Sequence, residues 1–453
     1  MLNHTKVELQ ENLITSKSQL AQVFWDGIKT SDIVAQKRTG VEFEKLPVKI
    51  HDYKAASYYD VAKFLQSYKK NNKQPVYENN SILGLSDKDG LISLEPGSQT
   101  ELSLIPSDNL CDVKQYLKVY NKETAEIAES FGIFWLGYGI QPVSTFDKIN
   151  IIPKKRYEYM TKYLPTVAKK PLIMMRETAG IQSSFDYSSQ EDAMKKFAFA
   201  LKLSPIVSAM FANSPVRAGK LTKYKSNRAA SWLETDNDRC GLVSEKVFTG
   251  EFSFDDYTDI LLDVPMIFIE RFISGKKTAL KTDNITFRQF LKYGWQGFAA
   301  NKQDWETHLS LYFPDVRFKS YIEIRNQDNQ RSSLICSVPA LWKGLIYNAD
   351  AMESAEALLK GFTYSDFEYL RNETPKYALD MEINGRQLKD IAKEIISVSY
   401  NSLKTYGKSE ERLLEPLMEN INKGLTPADI IIDKWENEWN GNISKLVEYS
   451  VLR

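Results

Sequence analysis

The chain has 453 residues, and its 59 lysine and arginine residues balance its 59 aspartate and glutamate residues, so the formal net charge is zero. This balance excludes the basic bias of a nucleic-acid-binding protein, and no nucleic acid is expected as a partner. The sequence contains no apolar run of about 18 residues and no signal-peptide core near its start, so neither a membrane span nor a signal peptide is expected. The cysteines lack CxxC spacing, which argues against structural zinc and fits a reducing cytoplasm.

Apolar periodicity predicts the secondary-structure elements in chain order. The first part of the chain is predicted to contain a helix over 7–30, a strand over 40–50, a helix over 57–70, strands near 79–84 and 91–95, and a helix over 108–131. The Asp89-Gly90 pair between the two short strands favours a hairpin turn.

The second part is predicted to contain a strand-like run over 172–175, a helix over 190–213, short helices within 254–275, 286–293 and 302–312, and a strand over 321–325. Beyond about 338 the chain is predicted to be mostly helical, with periodic apolar residues over 353–362 and 386–403. Strands in the first three quarters, followed by helices, predict an α+β fold in which an antiparallel sheet carries the site.

Two of the predicted strands carry charged side chains at a spacing of two residues. Successive side chains of a strand alternate between its faces, so Glu323 and Arg325 point the same way. A carboxylate suits a metal ion and a guanidinium suits a phosphate. Glu42 and Glu44 likewise share a face, where like charges are unfavourable unless a cation lies between them. Together the strands indicate a metal–nucleotide site, although a solvated strand edge explains Glu42 and Glu44 equally well.

Further carboxylates flank the Pro96-Gly97 turn, which allows the chain to bend sharply. Glu95 precedes this turn and Glu101 follows it. Magnesium prefers oxygen ligands, and these carboxylates with the previous three supply enough oxygens for more than one ion. The alternative is a plain surface turn.

Neutral and cationic side chains suited to a polar substrate occur in two other segments. Thr178 and Gln182 offer donors and acceptors, and Arg228 near Trp232 is suited to a carboxylate beside an aromatic wall. A surface salt bridge is the common alternative for a lone arginine, and surface polar residues are the alternative for the other two.

These segments, taken together, resemble the plant-type glutamate–cysteine ligase family, which is also found in bacteria. The matching segments stand in the family's order and cover roughly residues 38–345: GVEFEK (40–45), LEPGSQTELS (94–103), PKKRYEYM (153–160), MRETAGIQSSFDY (175–187), FANSP (211–215), SNRAASW (226–232), DVPM (263–266), GW (294–295) and WETHLSLYFPDVRFKSYIEIRNQD (305–328).

The resemblance implies a glutamine-synthetase-like α+β fold, with an antiparallel sheet funnel flanked by helices. It implies one catalytic domain over 1–453, with a helical C-terminal extension over about 346–453. The implied enzyme uses ATP and Mg²⁺ to join the γ-carboxylate of L-glutamate to the amine of L-cysteine through a γ-glutamyl phosphate, the first step of glutathione biosynthesis. A cytoplasmic monomer or homodimer is expected.

The resemblance also implies roles for individual residues. Arg325 is similar to the arginine that contacts ATP phosphates, and Glu323 and Arg325 are expected to be catalytic. Arg156 and Arg228 are similar to the arginines that hold glutamate, with Trp232 beside them, and Thr178 and Gln182 fall in the motif that lines the amino-acid pocket. The residues similar to the magnesium ligands are Glu42, Glu44, Glu95, Glu101 and Glu323.

The chain departs from the family pattern at residues that do not ionise. Phe43 stands where the family often has histidine, Ser98 replaces a usual glycine, and the middle of the 178–182 segment differs. These departures concern the second substrate more than the reaction type. A same-fold ligase that joins glutamate to a different amine, and a catalytically silent binding homologue, are therefore the alternatives.

Overall fold

The computed structural model describes residues 13–69, 72–273 and 276–453. Its strands in chain order are β1 Thr39–Lys49, β2 Gln74–Glu78, β3 Ser81–Ser86, β4 Gly90–Leu94, β5 Thr100–Ser107, β6 Ile133–Leu136, β7 Gly180–Phe185, β8 Val216–Arg217, β9 Lys220–Leu221, β10 Phe268–Ile273, β11 Lys276–Lys281, β12 Val316–Phe318, β13 Ile322–Asp328, β14 Glu382–Ile383 and β15 Arg386–Gln387.

The α-helices surround these strands and make up most of the chain after β13. In chain order they are α1 Lys17–Trp25, α2 Ser31–Ala35, α3 Tyr58–Tyr68, α4 Leu110–Ser130, α5 Lys155–Tyr163, α6 Pro171–Glu177, α7 Gln190–Met210, α8 Asn227–Trp232, α9 Phe254–Asp263, α10 Phe287–Tyr293, α11 Lys302–Ser310, α12 Ser337–Ile346, α13 Ala349–Ala357, α14 Tyr364–Tyr377, α15 Leu388–Thr405, α16 Glu415–Asn422, α17 Pro427–Asp433 and α18 Ile443–Ser450.

One large sheet organises the fold, and strand β1 lies at its centre. The strand order is β12-β13-β7-β1-β5-β4-β3-β2, and β6 pairs with the second half of β1. Neighbouring strands of this sheet run antiparallel. The register places Glu44 opposite Glu101 on β5 and Glu42 opposite Gln182 on β7. Charged residues that are far apart in the sequence therefore meet in the middle of the sheet.

Both edges of the large sheet are poor templates for another strand. The edge strand β2 contains Pro75, which lacks the N–H that a further strand would pair with. The opposite edge strand, β12, has only three residues, and all three are buried. Short edges and edge prolines are two ways in which proteins limit strand addition.

Most of the predicted elements are confirmed, and the α+β class with an antiparallel sheet is confirmed. The 172–175 run, however, is not a strand but part of helix α6, which begins at Pro171, and proline is favoured at the first helical position. Its buried residues Met174 and Met175 pack into the main core.

Other boundaries differ from the predictions. Residues 7–12 of the predicted first helix lie outside the described residues, and its described part is shorter, as α1. Within 254–275 a helix is followed by strand β10, and the prediction of helices and connectors missed that strand. None of the helices in the described ranges combines the length and apolar character needed to cross a bilayer.

A single lysine is buried on the face of β1 that packs toward helix α4. The Nζ of Lys45 donates to the hydroxyl of Thr124 at 3.2 Å and lies 3.8 Å from the ring centre of Tyr120. Burial lowers the pKa of Lys45 well below its ordinary value. This side chain therefore belongs to the packing of the sheet and points away from the carboxylates of the same strand.

Candidate active site

The predicted site residues meet at a cavity of about 360 Å³ between the large sheet and helices α5, α6 and α8. Glu323 lies just behind its surface and is fully buried. The predicted site residues that line this central cavity are Glu42, Glu44, Glu95, Glu101, Arg156, Thr178, Gln182, Arg228, Trp232 and Arg325.

One side of the cavity is a carboxylate wall formed by Glu42, Glu44, Glu95 and Glu101. Burial raises the pKa of Glu44 to about 7, and repulsion from Glu95 adds to this effect. Burial also raises the pKa of Glu101 well above its usual range, with repulsion from Glu42 as the next cause. The hydroxyl of Tyr157 donates to Glu95 at 3.1 Å. The wall therefore brings together carboxyl groups whose ionised forms are disfavoured by burial and by one another.

The donor set of this wall fits a hard cation. Carboxylate oxygens are the ligands that Mg²⁺ prefers, and a bound cation would remove the repulsion that raises these pKa values. Within the described ranges, no three acidic, histidine or cysteine side chains converge closely enough to form a preassembled metal centre. A cation held here would therefore need water molecules among its ligands, which Mg²⁺ commonly keeps.

Beside this wall, beyond β7 in the sheet, lies a cation cluster, formed by Arg317, Lys319 and Arg325 around the buried carboxylate of Glu323. The distances from Glu323 to these three residues are 2.7, 2.8 and 2.7 Å. Burial alone would raise the pKa of Glu323, but attraction to Arg317 and the other two cations outweighs burial and holds the pKa far below its usual range. Three positive charges thus share one negative charge, which leaves an excess of positive charge beside the cavity.

Arg317 and Lys319 also line the cavity, although neither was predicted as a site residue. Arg317 lies directly opposite Glu323 in the pairing of β12 with β13. The two cations are two residues apart, the same spacing that identified Glu323 and Arg325. This spacing could have identified the pair. However, β12 has only three residues and was not predicted as a strand, and Lys319 follows its last residue.

Gln182 links the carboxylate wall to the cation cluster. Its Oε1 accepts a hydrogen bond from Arg325 Nη1 at 2.7 Å, and its Nε2 donates to Glu101 at 3.2 Å. Thr178 also lines the cavity, but its hydroxyl already donates to the carbonyl oxygen of Met174 at 2.6 Å. Gln182 therefore fixes the position of Arg325 relative to Glu101. The side chain of Thr178 is fixed by its hydrogen bond to the last turn of α6.

Arg228 is buried in the wall of the cavity with part of its guanidinium unsatisfied. Its Nη2 donates to the carbonyl oxygen of Arg325 at 2.9 Å, while Nε and Nη1 have no hydrogen-bond partner. Trp232 lies one helical turn away, with its ring centre 5.9 Å from the guanidinium carbon. Gly180 leaves room for this guanidinium, because a Cβ at that position would lie 2.4 Å from Arg228 Nη2. Buried donors without partners are suited to a ligand carboxylate.

The start of helix α8, which carries Arg228, is fixed by Asp328 at the end of β13. The carboxylate of Asp328 accepts hydrogen bonds from the hydroxyls of Ser214 and Ser226 at 2.7 and 2.8 Å and from the backbone N–H of Asn213 at 2.9 Å. Ser226 in turn caps the helix. Arg156 approaches the cavity from α5 and donates to the carbonyl oxygen of Ser310 at 2.7 Å.

Comparison with known proteins identifies relatives of this chain. A family model described as glutamate-cysteine ligase family 2 (GCS2) matches residues 38–449. The chain is 33% identical to a chloroplastic glutamate–cysteine ligase of Arabidopsis thaliana, over 96% of this chain and 82% of that protein. It is 34% identical to the chloroplastic glutamate–cysteine ligase of Brassica juncea, over 91% of this chain and 80% of that protein.

A solved structure supports the fold. A glutamate–cysteine ligase from Francisella tularensis, crystallised with AMP, superposes with a TM-score of 0.53 at 14% identity, covering 91% of this chain and 88% of that one. The plant relatives also correct one expectation. The predicted cytoplasmic location is contradicted, because the relatives named above are chloroplastic enzymes.

Proposed function

The chain belongs to glutamate–cysteine ligase family 2, and we propose that it joins the γ-carboxylate of L-glutamate to the amine of L-cysteine at the expense of ATP. A carboxylate at neutral pH is a poor electrophile, so the reaction needs an activated acyl group. ATP supplies it: a γ-carboxylate oxygen attacks the terminal phosphorus, and γ-glutamyl phosphate and ADP form. The amine then attacks the acyl carbon, phosphate leaves, and the amine loses a proton.

The cation cluster is the proposed site of the ATP phosphates. Phosphoryl transfer depends on positioning and on neutralising the charge of the phosphate oxygens. Arg317, Lys319 and Arg325 carry more positive charge than Glu323 balances, and all three line the cavity. Glu323 holds the three side chains in one arrangement before ATP arrives. Its predicted role as a metal ligand stays a prediction, and either role makes it essential for turnover.

The carboxylate wall is the proposed site of Mg²⁺. Glu42, Glu44, Glu95 and Glu101 would hold the metal, which when bound neutralises phosphate charge. The wall and the cation cluster line the same cavity, and Gln182 bonds to both. Phosphates bound at the cation cluster would therefore lie next to the carboxylates proposed to hold the metal.

Arg228 and Arg156 are the proposed binding residues for glutamate. Arg228 offers two buried donors without partners, and a guanidinium binds a carboxylate through paired hydrogen bonds. Gly180 and Asp328 fix the position of Arg228 from two sides. Arg228 donates to the carbonyl oxygen of Arg325, so glutamate bound at Arg228 would lie next to the proposed phosphate site.

The observation that carries this proposal is that the carboxylate wall and the cation cluster line one cavity and are joined by Gln182. Phosphate release should be measured with ATP, magnesium and glutamate, together with a panel of amines. Strong dependence on cysteine is the expected result. Release with a different amine alone would favour a same-fold ligase with another acceptor, and no release with any amine would favour a binding protein.

A further inference from the structure

A second, smaller cavity adjoins the central one, and the two share Arg228, Trp232, Phe313 and Arg325 as lining residues. Its volume is about 30 Å³, and its surface is mostly apolar. We call it the apolar compartment. Its walls come from three parts of the chain: Pro205 in α7, Leu233 directly after α8, and Pro375 in α14. The proposed roles of ATP, magnesium and glutamate do not use this space.

The compartment lies next to the residues proposed to bind ATP and glutamate. Arg325, which we assign to the phosphates, lines the compartment as well as the central cavity, and so does Arg228, which we assign to glutamate. A group in the compartment therefore lies beside Arg325 and Arg228, the residues proposed to bind the two parts of the acyl phosphate. The remaining participant in the reaction is the amine acceptor.

The size and chemistry of the compartment restrict what it can hold. A cavity of about 10–15 Å³ accepts one water-sized sphere, so this space accepts about two. An adenine ring is far too large, whereas a methylene carrying a sulfur atom has a matching size. The walls offer apolar contacts for the methylene. The unpartnered donor Trp232 Nε1 belongs to a residue that lines the space, and sulfur is a weak hydrogen-bond acceptor.

We infer that the apolar compartment is the subsite for the side chain of the acceptor, and that its volume sets the preference for the thiol-bearing methylene of L-cysteine. This inference rests on the proposed function. It also gives a role to the helical C-terminal part of the chain. Helix α14 closes the compartment through Arg371, Thr374 and Pro375, and the ion pair of Arg371 with Asp315 at 3.1 Å joins this helix to the segment before β12.

The test changes the size of the compartment in both directions. Leu233→Ala enlarges it at a partly exposed position, and Ala229→Leu narrows it at another partly exposed position. The acceptors are cysteine, homocysteine, which has one more methylene, and alanine, which lacks the sulfur. One methylene changes discrimination in an apolar pocket by roughly 10-fold or more. The expected result is a rise of about 10-fold in the homocysteine-to-cysteine ratio of kcat/KM for Leu233→Ala.

Ala229→Leu should lower kcat/KM for cysteine by about 10-fold and shift the preference toward alanine. Both variants should keep the KM values for glutamate and ATP. Leu425→Ala, at an exposed leucine in the C-terminal helical part, is the control and should leave the acceptor ratios unchanged. Unchanged ratios in both variants of the compartment would overturn the inference while the wild type still ligates cysteine. A wild type that releases no phosphate with glutamate and cysteine would instead refute the proposed function.

Discussion

Replacing Glu323 by glutamine tests the cation cluster most directly. The side chain of Glu323 is completely buried, and those of Arg317, Arg325 and Lys319 are 7%, 16% and 30% exposed. Glutamine keeps the shape of the side chain but leaves three cations without their shared counter-charge. Breaking a buried ion pair on one side costs about 3–5 kcal/mol, and because Lys319 reaches solvent we expect a loss near the lower limit, about 3 kcal/mol.

The assay is denaturant unfolding of the wild type and of Glu323→Gln, with and without ATP, followed by phosphate release at saturating substrates. We expect a folded but less stable protein whose turnover falls by orders of magnitude. ATP should still bind, because the excess positive charge is larger, and it should recover part of the lost stability. Asp259→Asn is the control, since this exposed carboxylate also pairs with two cations, Lys17 and Arg288, and its loss should change stability by less than about 0.5 kcal/mol.

An unchanged free energy of unfolding together with near-normal turnover at saturating magnesium would refute this reasoning. A different outcome would separate the two roles considered for Glu323. If the variant keeps its stability but needs far more magnesium, then Glu323 acts as a metal ligand and the cation cluster does not depend on it.

Three further predictions follow from other parts of the structure. Arg228→Lys should raise the KM for glutamate and leave the KM for ATP unchanged, because lysine keeps the charge but loses the planar fork; a loss confined to ATP would contradict the assignment. The three cysteines are free thiols, and burial raises the pKa of Cys240 and of Cys336 to about 12 in each case. Their joint replacement by serine should leave turnover in excess reductant within a few-fold, and a collapse in a folded variant would show that a thiol takes part. Lys45→Met should stabilise the fold at pH 7. The buried lysine has a lowered pKa, so in the wild type the unfolded state binds more protons and stability rises with pH toward the ordinary lysine value, by up to about 1.4 kcal/mol per pH unit. The increase in the free energy of unfolding of Lys45→Met over the wild type, measured by denaturant unfolding, should therefore shrink between pH 7 and pH 10. An increase that does not change with pH would show that the lowered pKa of Lys45 is not its cause.

The parts of the site that were predictable depend on local geometry. Side chains alternate along a strand, so the shared faces of Glu42 with Glu44 and of Glu323 with Arg325 follow from spacing alone. The pairing of Glu44 opposite Glu101 depends on sheet register, which is set by contacts between distant segments. No local pattern specifies that register.

The parts that were missed depend on tertiary context. The run at 172–175 has no period that separates a strand from a buried helix, and Pro171 decides the outcome by starting a helix. Likewise, the spacing within β13 gives no sign that Arg317 lies opposite Glu323, because that contact depends on the pairing of β12 with β13. The family resemblance supplied the fold and the reaction, but it did not reveal this arrangement of charges.

The two ends of the large sheet have a consequence for how copies of this protein meet at high concentration. Pro75 interrupts the hydrogen-bonding edge of β2, and the opposite end is a three-residue strand with no exposed residue. Fibril-like stacking needs a long, open edge, and neither end supplies one. Addition of a strand from another folded copy is thus disfavoured at these two ends of the sheet.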